Sequence, residues 1–522
     1  MHRILWLFTI VIFFAACARV GNPTGGEKDT TPPKILKTIP ENKATNFKGQ
    51  EIKIYFDEFI QLKNINNELL ITPPQKKQPE ITPLGTASKE IRIKFKDSLL
   101  PNTTYVINFG ESIEDFNEGN KLGNYQFVFS TGNQIDSLSL KGKVTPLYFK
   151  KNPEKIILGL YPAEKFTDSI VFREPPFYVA KTGKNGNFQF NYLKKGKYKI
   201  IALADEVTNY VYNPQKEAIG FIDSIIEIPK DSMVNVYLFK ERKKFKADKF
   251  EQVSHNHIKA TYEGNIDSLG FRFLSPVVDS LILIEPAQTN IWYKSNSDSV
   301  KVEMFNGKYR KTLKGKRKEE KDSLKVILKI QAAFHPLDSL IIQGNIPIIK
   351  IDKNKIELLK DSLPSPFEIK ERALKKWEVV FDKETGKKYQ IKIFPGAATD
   401  YLGNKNKDTI QRNFAIAKAD KFGKLVLTIP EINSPYFVEL LDSSNKIIRK
   451  SPTTIQNEIA FDYLKPGKYY IRIIFDKNQN NKWDTGDYLK HLYPEKIILI
   501  SKPVEVRANW DLNQKIDISG FK

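Results

Sequence analysis

The sequence predicts an all-β protein made of tandem β-sandwich domains. From residue 33 onward, short segments alternate apolar and polar residues and are separated by turn residues, the pattern of half-buried strands. No long segment has the period of an amphipathic helix, so helices should be few and short. One stretch also occurs twice: residues 463–487 return in degraded form as residues 192–216. Such an internal repeat indicates duplicated domains.

The two copies align without gaps. Both also carry an aromatic residue seven positions beyond a matched aspartate, Tyr212 and Trp483. The matched pairs are Tyr192 with Tyr463, Gly196 with Gly467, Tyr198 with Tyr469, and Asp205 with Asp476.

Length and composition support several folded domains. A chain of 522 residues exceeds one hydrophobic core, and roughly three to five domains are expected. Charged residues make up 28% of the chain and are interspersed, which argues against global disorder.

The first residues predict export. A basic start is followed by the apolar run ILWLFTIVIFFAA and then Cys17, too short for a mature membrane span but suited to a signal peptide. Residues 14–17, FAAC, resemble a bacterial lipobox, which implies that residues 1–17 hold a lipoprotein signal peptide with Cys17 lipidated. Cys17 is the only cysteine, so it forms no internal disulfide. The alternative is an ordinary secreted protein with a cysteine at its cleavage site.

Residues 18–32 are rich in Gly, Pro and Thr and predict a flexible tether. Ala18 and Arg19 lack the acidic cluster that resembles a surface-export signal in some Gram-negative lineages. We therefore expect a lipid-anchored outer-membrane protein that faces the periplasm, with cell-surface exposure as the alternative.

Residues 33–132 form the first predicted sandwich. The ordered segments TIPENKATNFKGQEIKIYFDEFIQL, LPNTTYVINFGESIEDFNEGN and YQFVFSTG resemble the bacterial Ig-like domain of the SbsA type. Residues 331–418 repeat the pattern, and pair Tyr389 with Tyr105, Asp400 with Asp115, and Gly403 with Gly119. The adjacent acids Asp57 and Glu58 could suggest catalysis, but a strand end or bulge is the preferred interpretation.

Residues 136–240 and 422–519 contain the two copies of the repeat. The progression G-x-F-x-F, Y-L-x-x-G-x-Y, strand resembles transthyretin-like regulatory domains, found beside carboxypeptidases and in CnaB-type adhesin repeats. These are accessory β-sandwiches, so the resemblance implies no peptidase activity. Residues 250–330 predict an additional β domain of no recognised family. The basic residues 240–249 predict a solvated linker, and residues 310–321 a projecting loop.

The loop after Asp476 has the spacing of a twelve-residue calcium loop. Asp476, Asn478, Asn480, Asp484 and Asp487 would supply side-chain oxygens and Lys482 its carbonyl, and calcium prefers such converging oxygens. Two departures are Asn481 at the usual glycine position and the shorter Asp487 at the last position. The alternative is a hairpin loop of Asx turns that needs no ion.

Asp-Ser or Asp-Thr followed by an apolar residue recurs along the chain and resembles the O-glycosylation acceptor motif of certain Gram-negative lineages. The alternative is that Asp-Ser closes a turn and the apolar residue starts a strand. The candidate acceptors are Ser98, Ser137, Ser169, Ser224, Ser268, Ser280, Ser323, Ser339, Ser362 and Thr409.

The sequence predicts a non-enzymatic protein. It lacks a phosphate-binding glycine loop, HExxH, G-x-S-x-G and a cysteine nucleophile. The formal net charge of +22 suits lipid phosphates, lipopolysaccharide or acidic glycans, not nucleic acid, for an exported chain.

These observations predict a cell-envelope lipoprotein with a structural or interaction role. Its expected partners are the membrane, through the lipid anchor, and an unidentified envelope protein or acidic glycan. The alternative is a glycan- or peptidoglycan-binding module, with Trp292, Tyr293 and Trp483 as the candidate aromatic platforms.

Overall fold

The computed structural model describes residues 28–519 except 150, 184, 206–208, 317, 320–321 and 331–332. Over these residues the chain forms 41 strands, one short α-helix and a few 3-10 turns, which confirms the all-β prediction. Cys17 and the predicted signal peptide lie outside the described residues. The 3-10 turns are Ala163–Lys165, Ile170–Phe172, Lys353–Lys355, Ala373–Lys375 and Ala419–Lys421.

The first sandwich spans residues 35–130. Its elements are β1 (Ile35–Ile39), β2 (Glu51–Leu62), α1 (Ile65–Glu68), β3 (Leu70–Thr72), β4 (Glu80–Thr82), β5 (Ser88–Lys94), β6 (Thr104–Asn108), β7 (Ile113–Asp115) and β8 (Gln126–Ser130). One sheet has the order β1-β2-β5-β4 with β7 beside β2, and the other the order β3-β6-β8. Alternate residues of β2 (Ile52, Ile54 and Phe56) are buried between the sheets, as a period of two requires.

The second sandwich spans residues 138–238. Its strands are β9 (Leu138–Pro146), β10 (Ile157–Pro162), β11 (Tyr178–Lys181), β12 (Asn187–Leu193), β13 (Gly196–Leu203), β14 (Ile219–Phe221), β15 (Ile226–Ile228) and β16 (Met233–Leu238). The sheets have the orders β12-β9-β16 and β11-β10-β13-β14, with β15 also beside β13. The pair β9 and β16 is parallel.

The third sandwich spans residues 246–316. Its strands are β17 (Lys246–Ser254), β18 (His257–Glu263), β19 (Leu269–Phe273), β20 (Asp279–Ile284), β21 (Gln288–Lys294), β22 (Ser299–Asn306) and β23 (Tyr309–Lys316). The sheets have the orders β17-β18-β21-β20 and β19-β22-β23.

Two sequence predictions fail in this sandwich. Residues 246–249 belong to β17 and are not linker, and the predicted projecting loop begins as strand β23. Strand β23 pairs along its whole length with β22 and buries little of its own surface. The polar composition that suggested a loop is that of a strand with one solvated face.

The fourth sandwich spans residues 326–416. Its strands are β24 (Val326–Leu328), β25 (Ala333–Phe334), β26 (Leu340–Gly344), β27 (Ile348–Ile351), β28 (Ile356–Lys360), β29 (Leu363–Pro364), β30 (Phe367–Arg372), β31 (Lys376–Phe381), β32 (Lys388–Ile393), β33 (Ala398–Asp400) and β34 (Ile410–Ile416). The sheets have the orders β24-β26-β31-β30 and β25-β34-β32-β28-β29, with β27 paired to β33.

The fifth sandwich spans residues 423–515. Its strands are β35 (Gly423–Thr428), β36 (Tyr436–Leu441), β37 (Ile447–Lys450), β38 (Glu458–Leu464), β39 (Gly467–Phe475), β40 (Ile497–Val506) and β41 (Asp511–Lys515). The sheets have the orders β38-β35-β41 and β37-β36-β39-β40.

The fifth sandwich repeats the topology of the second. The order β38-β35-β41 matches β12-β9-β16, and the parallel pair recurs between β35 and β41. The aligned tyrosines make the same bond, since Tyr198 and Tyr469 each donate their hydroxyl to the carbonyl four residues upstream.

The fourth sandwich repeats the first in the same way. The order β24-β26-β31-β30 matches β1-β2-β5-β4, and β28-β32-β34 matches β3-β6-β8. Tyr105 stacks on Phe129 with ring centroids 5.1 Å apart, and its counterpart Tyr389 stacks on Phe414 at 5.6 Å. Each of these two kinds of sandwich therefore occurs twice in the fold.

Neighbouring sandwiches share contacts. Leu70 of the first packs against Ile157, Val179 and Tyr210 of the second. The third and fourth meet at Trp292, Ile346 and Tyr401, and the fourth and fifth where His335 bonds the Tyr463 carbonyl at 2.9 Å. Among the described residues, no helix is long and apolar enough to cross a membrane.

Candidate functional site

The predicted calcium loop leaves β39 and is anchored by Asp476. This side chain is fully buried, and its carboxylate accepts hydrogen bonds from the backbone N–H groups of Asn480 (3.1 Å) and Asn481 (2.8 Å) and from the Thr453 hydroxyl. Its repeat counterpart Asp205 accepts the N–H of Tyr210, also five residues on, at 2.8 Å. Asp476 and Asp205 therefore accept the equivalent backbone N–H group in the two copies.

The other predicted ligands form two further groups. The side-chain amides of Asn478 and Asn480 both donate to one oxygen of Asp484 at 2.7 Å, and Arg242 pairs with its other oxygen. Burial would raise the pKa of Asp484, but the two amides and the guanidinium lower it. Asp487 instead binds Lys490, with Oδ2 2.9 Å from Nζ.

Lys482 donates its backbone N–H to the Asn480 side-chain oxygen at 2.7 Å. The loop is thus held by hydrogen bonds between its own groups. Over the described part of the chain, no group of three or more His, Cys, Asp or Glu side chains is arranged to hold a metal. Calcium binding at this loop stays a prediction.

From Trp483 onward the segment contacts the second sandwich. We call residues 483–493, with the second-sandwich surface they contact, the clasp. The Trp483 ring stacks on Tyr148 with centroids 4.6 Å apart. Tyr488 is buried against Phe221, with centroids 5.3 Å apart. At Gly486 an added Cβ would lie 2.6 Å from the Phe239 ring, so only glycine fits without rearrangement.

Polar contacts surround this apolar centre. Glu241 accepts the Tyr488 N–H at 2.6 Å and the Tyr212 hydroxyl at 2.7 Å. His491 lies between two aspartates of the second sandwich, with Nδ1 2.6 Å from Asp223 and Nε2 3.0 Å from Asp168. These two bonds raise the pKa of His491.

A buried ion pair lies beneath the clasp. Arg472 Nε donates to Glu439 Oε2 at 2.8 Å, and both side chains are almost fully buried. Tyr148 of the second sandwich donates its hydroxyl to Glu439 at 3.0 Å, and the Arg472 guanidinium lies 4.1 Å from the Tyr148 ring centroid. Burial, reinforced by the Glu439 charge, raises the pKa of Tyr148 to about 12. Tyr148 of the second sandwich thus completes the buried hydrogen-bond network that Arg472 and Glu439 form in the fifth.

The sequence reasoning missed most of the clasp. It did not single out Tyr148, Glu241, Tyr488 or His491. The matched aromatics Tyr212 and Trp483 were the available signal, because both lie at this interface. Their role could not be read from the sequence, because Trp483 stacks on Tyr148 of another sandwich and Tyr212 bonds Glu241, which follows β16.

The candidate glycosylation residues are at the surface with one exception. Ser280 is half-buried within β20, and the others are exposed. Ser137, Ser268, Ser339, Ser362 and Thr409 directly precede a strand, as the turn-closing alternative requires. Exposure is compatible with glycan attachment, which stays a prediction.

The aromatic pair proposed as a glycan platform is not exposed. Trp292 and Tyr293 are buried, and the Trp292 face is covered by His257 with ring centroids 4.6 Å apart. Trp483 is covered by Tyr148. The platform prediction is therefore wrong for Trp292 and Tyr293, because β21 is an inner strand of its sheet.

Comparison with known proteins gives one family match and several distant structural likenesses. No curated protein matches the chain. The S-layer protein SbsC is 10% identical, with 90% of this chain and 67% of that chain covered and a TM-score of 0.14. The major pilin subunit of Bacillus cereus is 10% identical, with 73% and 99% covered and a TM-score of 0.14. Residues 29–131 match the family model of the bacterial Ig-like domain, so the first sandwich is similar to that family.

Proposed function

We propose that the chain is a non-enzymatic, lipid-anchored scaffold of the cell envelope, attached to the outer membrane, facing the periplasm and serving a structural or interaction role. The clasp carries this proposal. The polar segment after β39 uses its side chains to close its own turn and to fix the fifth sandwich against the second.

The most enzyme-like carboxylates also serve the fold. Asp57 and Glu58 lie where β2 loses its register with β5, between Tyr55 and Ile60, which confirms the predicted bulge. Asp57 accepts the Lys34 N–H at 2.8 Å. Desolvation, with nearby acidic groups, raises the pKa of Glu58, a consequence of crowding that needs no reaction.

Anchoring is tested at Cys17. Cys17→Ser should abolish incorporation of labelled fatty acid and move the protein from the membrane fraction to the soluble fraction. Ala18→Ser is the matched control, because it changes the neighbouring residue and keeps the only thiol. Continued membrane association of Cys17→Ser without fatty acid would contradict the lipid anchor.

The scaffold role is tested by complementation. In cells lacking the protein, the detergent resistance of the envelope should be restored by Asp57→Asn/Glu58→Gln and not by Gly486→Val, which disrupts the clasp. Loss of rescue by a folded double carboxylate variant would instead support catalysis. Retention on purified peptidoglycan at low salt would support the glycan-binding alternative.

A further inference from the structure

The outward face of one sheet in the third sandwich is strongly basic. The sheet consists of β19, β22 and β23, and its inner face packs on the sandwich core. We call its outer face, with the adjoining Leu274, the basic face. Its charged residues are Arg272, Lys301, Glu303, Arg310, Lys314 and Lys316. Its net charge is therefore four positive.

The strand register concentrates this charge. Lys301 lies directly opposite Lys314, and Lys316 lies one pair further along the same face, opposite Ser299. Like charges directly opposite each other destabilise an antiparallel pair. The single acid of this face, Glu303, forms a salt bridge with Arg272, with Oε2 2.9 Å from Nε. It therefore does not neutralise the lysine pair.

Apolar groups adjoin the charges. Leu274 follows β19 and donates its N–H to the Lys301 carbonyl at 2.8 Å, which places it beside the lysine pair. The Leu274 side chain is 48% exposed. Phe305 lies across Gly270, where an added Cβ would be 2.3 Å from the ring, and Arg310 covers it at 5.3 Å.

We propose that the basic face docks on an anionic membrane surface, where its lysines bind the phosphates of lipid headgroups and Leu274 enters the interfacial layer. Charge complementarity selects the headgroups, and exposed aliphatic side chains next to cations fit the boundary between headgroups and acyl chains. The inference rests on the envelope location in the proposed function. It adds a second membrane contact, far along the chain from Cys17.

The test uses residues 28–522, which retain every described element and lack Cys17, so no lipid anchor contributes. Binding is measured by co-sedimentation with vesicles of phosphatidylcholine alone and with one-third phosphatidylglycerol. We expect binding to the anionic vesicles only, weakened by added salt. Inorganic phosphate at constant ionic strength should not displace the protein if the ligand is the lipid surface.

The decisive variant is Lys301→Gln/Lys314→Gln/Lys316→Gln. Each lysine near an anionic surface contributes about a fivefold change in partitioning, so the triple variant should bind roughly 100-fold more weakly. The matched control Lys165→Gln/Lys230→Gln/Lys465→Gln removes three exposed lysines of other sandwiches and should change binding less than twofold. Leu274→Ser should weaken binding with the charge unchanged. Thermal unfolding checks that each variant folds.

Several results would overturn the proposal. One is a failure of the protein with native lysines to bind anionic vesicles. Another is an equal loss of vesicle binding in the two triple variants, which would assign binding to the overall charge. Preferential binding to polyglutamate or RNA would assign the face to another class of partner. Residues 28–522 lack Cys17, so none of these outcomes bears on the fractionation test of the lipid anchor.

Discussion

At the scale of single residues, buried aspartates organise the loops that follow strands. Asp115 and its counterpart Asp400 are buried and accept backbone N–H groups from the residues just after them. Asp476 and Asp205 do the same in the other pair of sandwiches. An acidic residue followed by Asn and Gly thus indicates a closed turn as readily as a metal ligand.

His491 should make the stability of the clasp depend on pH. Its hydrogen bonds to Asp223 and Asp168 raise its pKa above the ordinary value, which is about 6.5. The protonated form is favoured in the folded state, so its stabilisation is fully present below about pH 6.5 and is lost as the pH rises through the raised value. Other groups facing the clasp here are Tyr488 and Tyr493.

We therefore expect the difference in melting temperature between wild type and His491→Gln to be largest near pH 6 and to shrink toward pH 9. Lys490→Gln, which alters the neighbouring charge and keeps the imidazole, should follow the wild type. A difference independent of pH would show that the imidazole acts only by packing.

Gly486 should not tolerate a side chain. Gly486→Val places atoms where the Phe239 ring and the Leu492 carbonyl lie, and overpacking of this kind costs about 1–3 kcal/mol. Urea unfolding should show this loss. Gly123→Val is the matched control, since an added Cβ at Gly123 meets nothing within 4 Å. Equal stability of the two variants would mean that the clasp does not hold the sandwiches together.

At the scale of elements, the alternation of apolar and polar residues predicts a strand well where one face of the strand is buried, and poorly where both faces are largely exposed. Strand β2 alternates clearly because Ile52, Ile54 and Phe56 enter the core. The sequence does not reveal strand β23, because only Tyr309, Leu313 and Gly315 are even partly buried, and its other positions hold Arg, Lys and Thr. Its pairing with β22 is fixed by the partner strand and cannot be read from its own residues.

The Asp476 loop offers a direct comparison between an ion and a turn. If calcium binds there, it should raise the melting temperature of wild type, and Asp487→Asn should remove that rise. If the loop is only a turn, Asp476→Ala should cost about 1–3 kcal/mol, because the N–H groups of Asn480 and Asn481 lose their charged acceptor. Asp487→Asn, which changes a more exposed carboxylate, should then cost little. An unchanged melting temperature with calcium leaves only the turn.

At the scale of the whole molecule, the chain closes on itself. The second sandwich touches the fifth through the clasp, the fifth touches the fourth at His335, and the fourth touches the third at Trp292. Repeats and resemblances predicted the sandwiches, because those depend on local order. Contacts between residues as distant as Asp168 and His491 leave no periodic trace, so the clasp could not be predicted.

The exposed Asp-Ser and Asp-Thr positions predict that glycans are attached to the chain. Mass spectrometry of the mature chain should find added hexose-type mass on at least one of the exposed acceptors, and Ser280 should stay unmodified because it is half-buried in β20. Ser339→Ala and Ser362→Ala would remove the mass at their own sites. A mature protein with only peptide and lipid mass would leave these motifs as strand starts.

The two halves of the clasp are synthesised at different times. Asp223 and its partner Tyr493 are separated by 270 residues, so the second sandwich is synthesised long before the segment that covers it. At translation rates of about 5–20 residues per second, the interval is roughly 15–50 s. During that time the surface formed by Phe221 and Phe239 has no cover from Tyr488. The apolar surface of the second sandwich therefore stays exposed to solvent until the fifth sandwich has been synthesised.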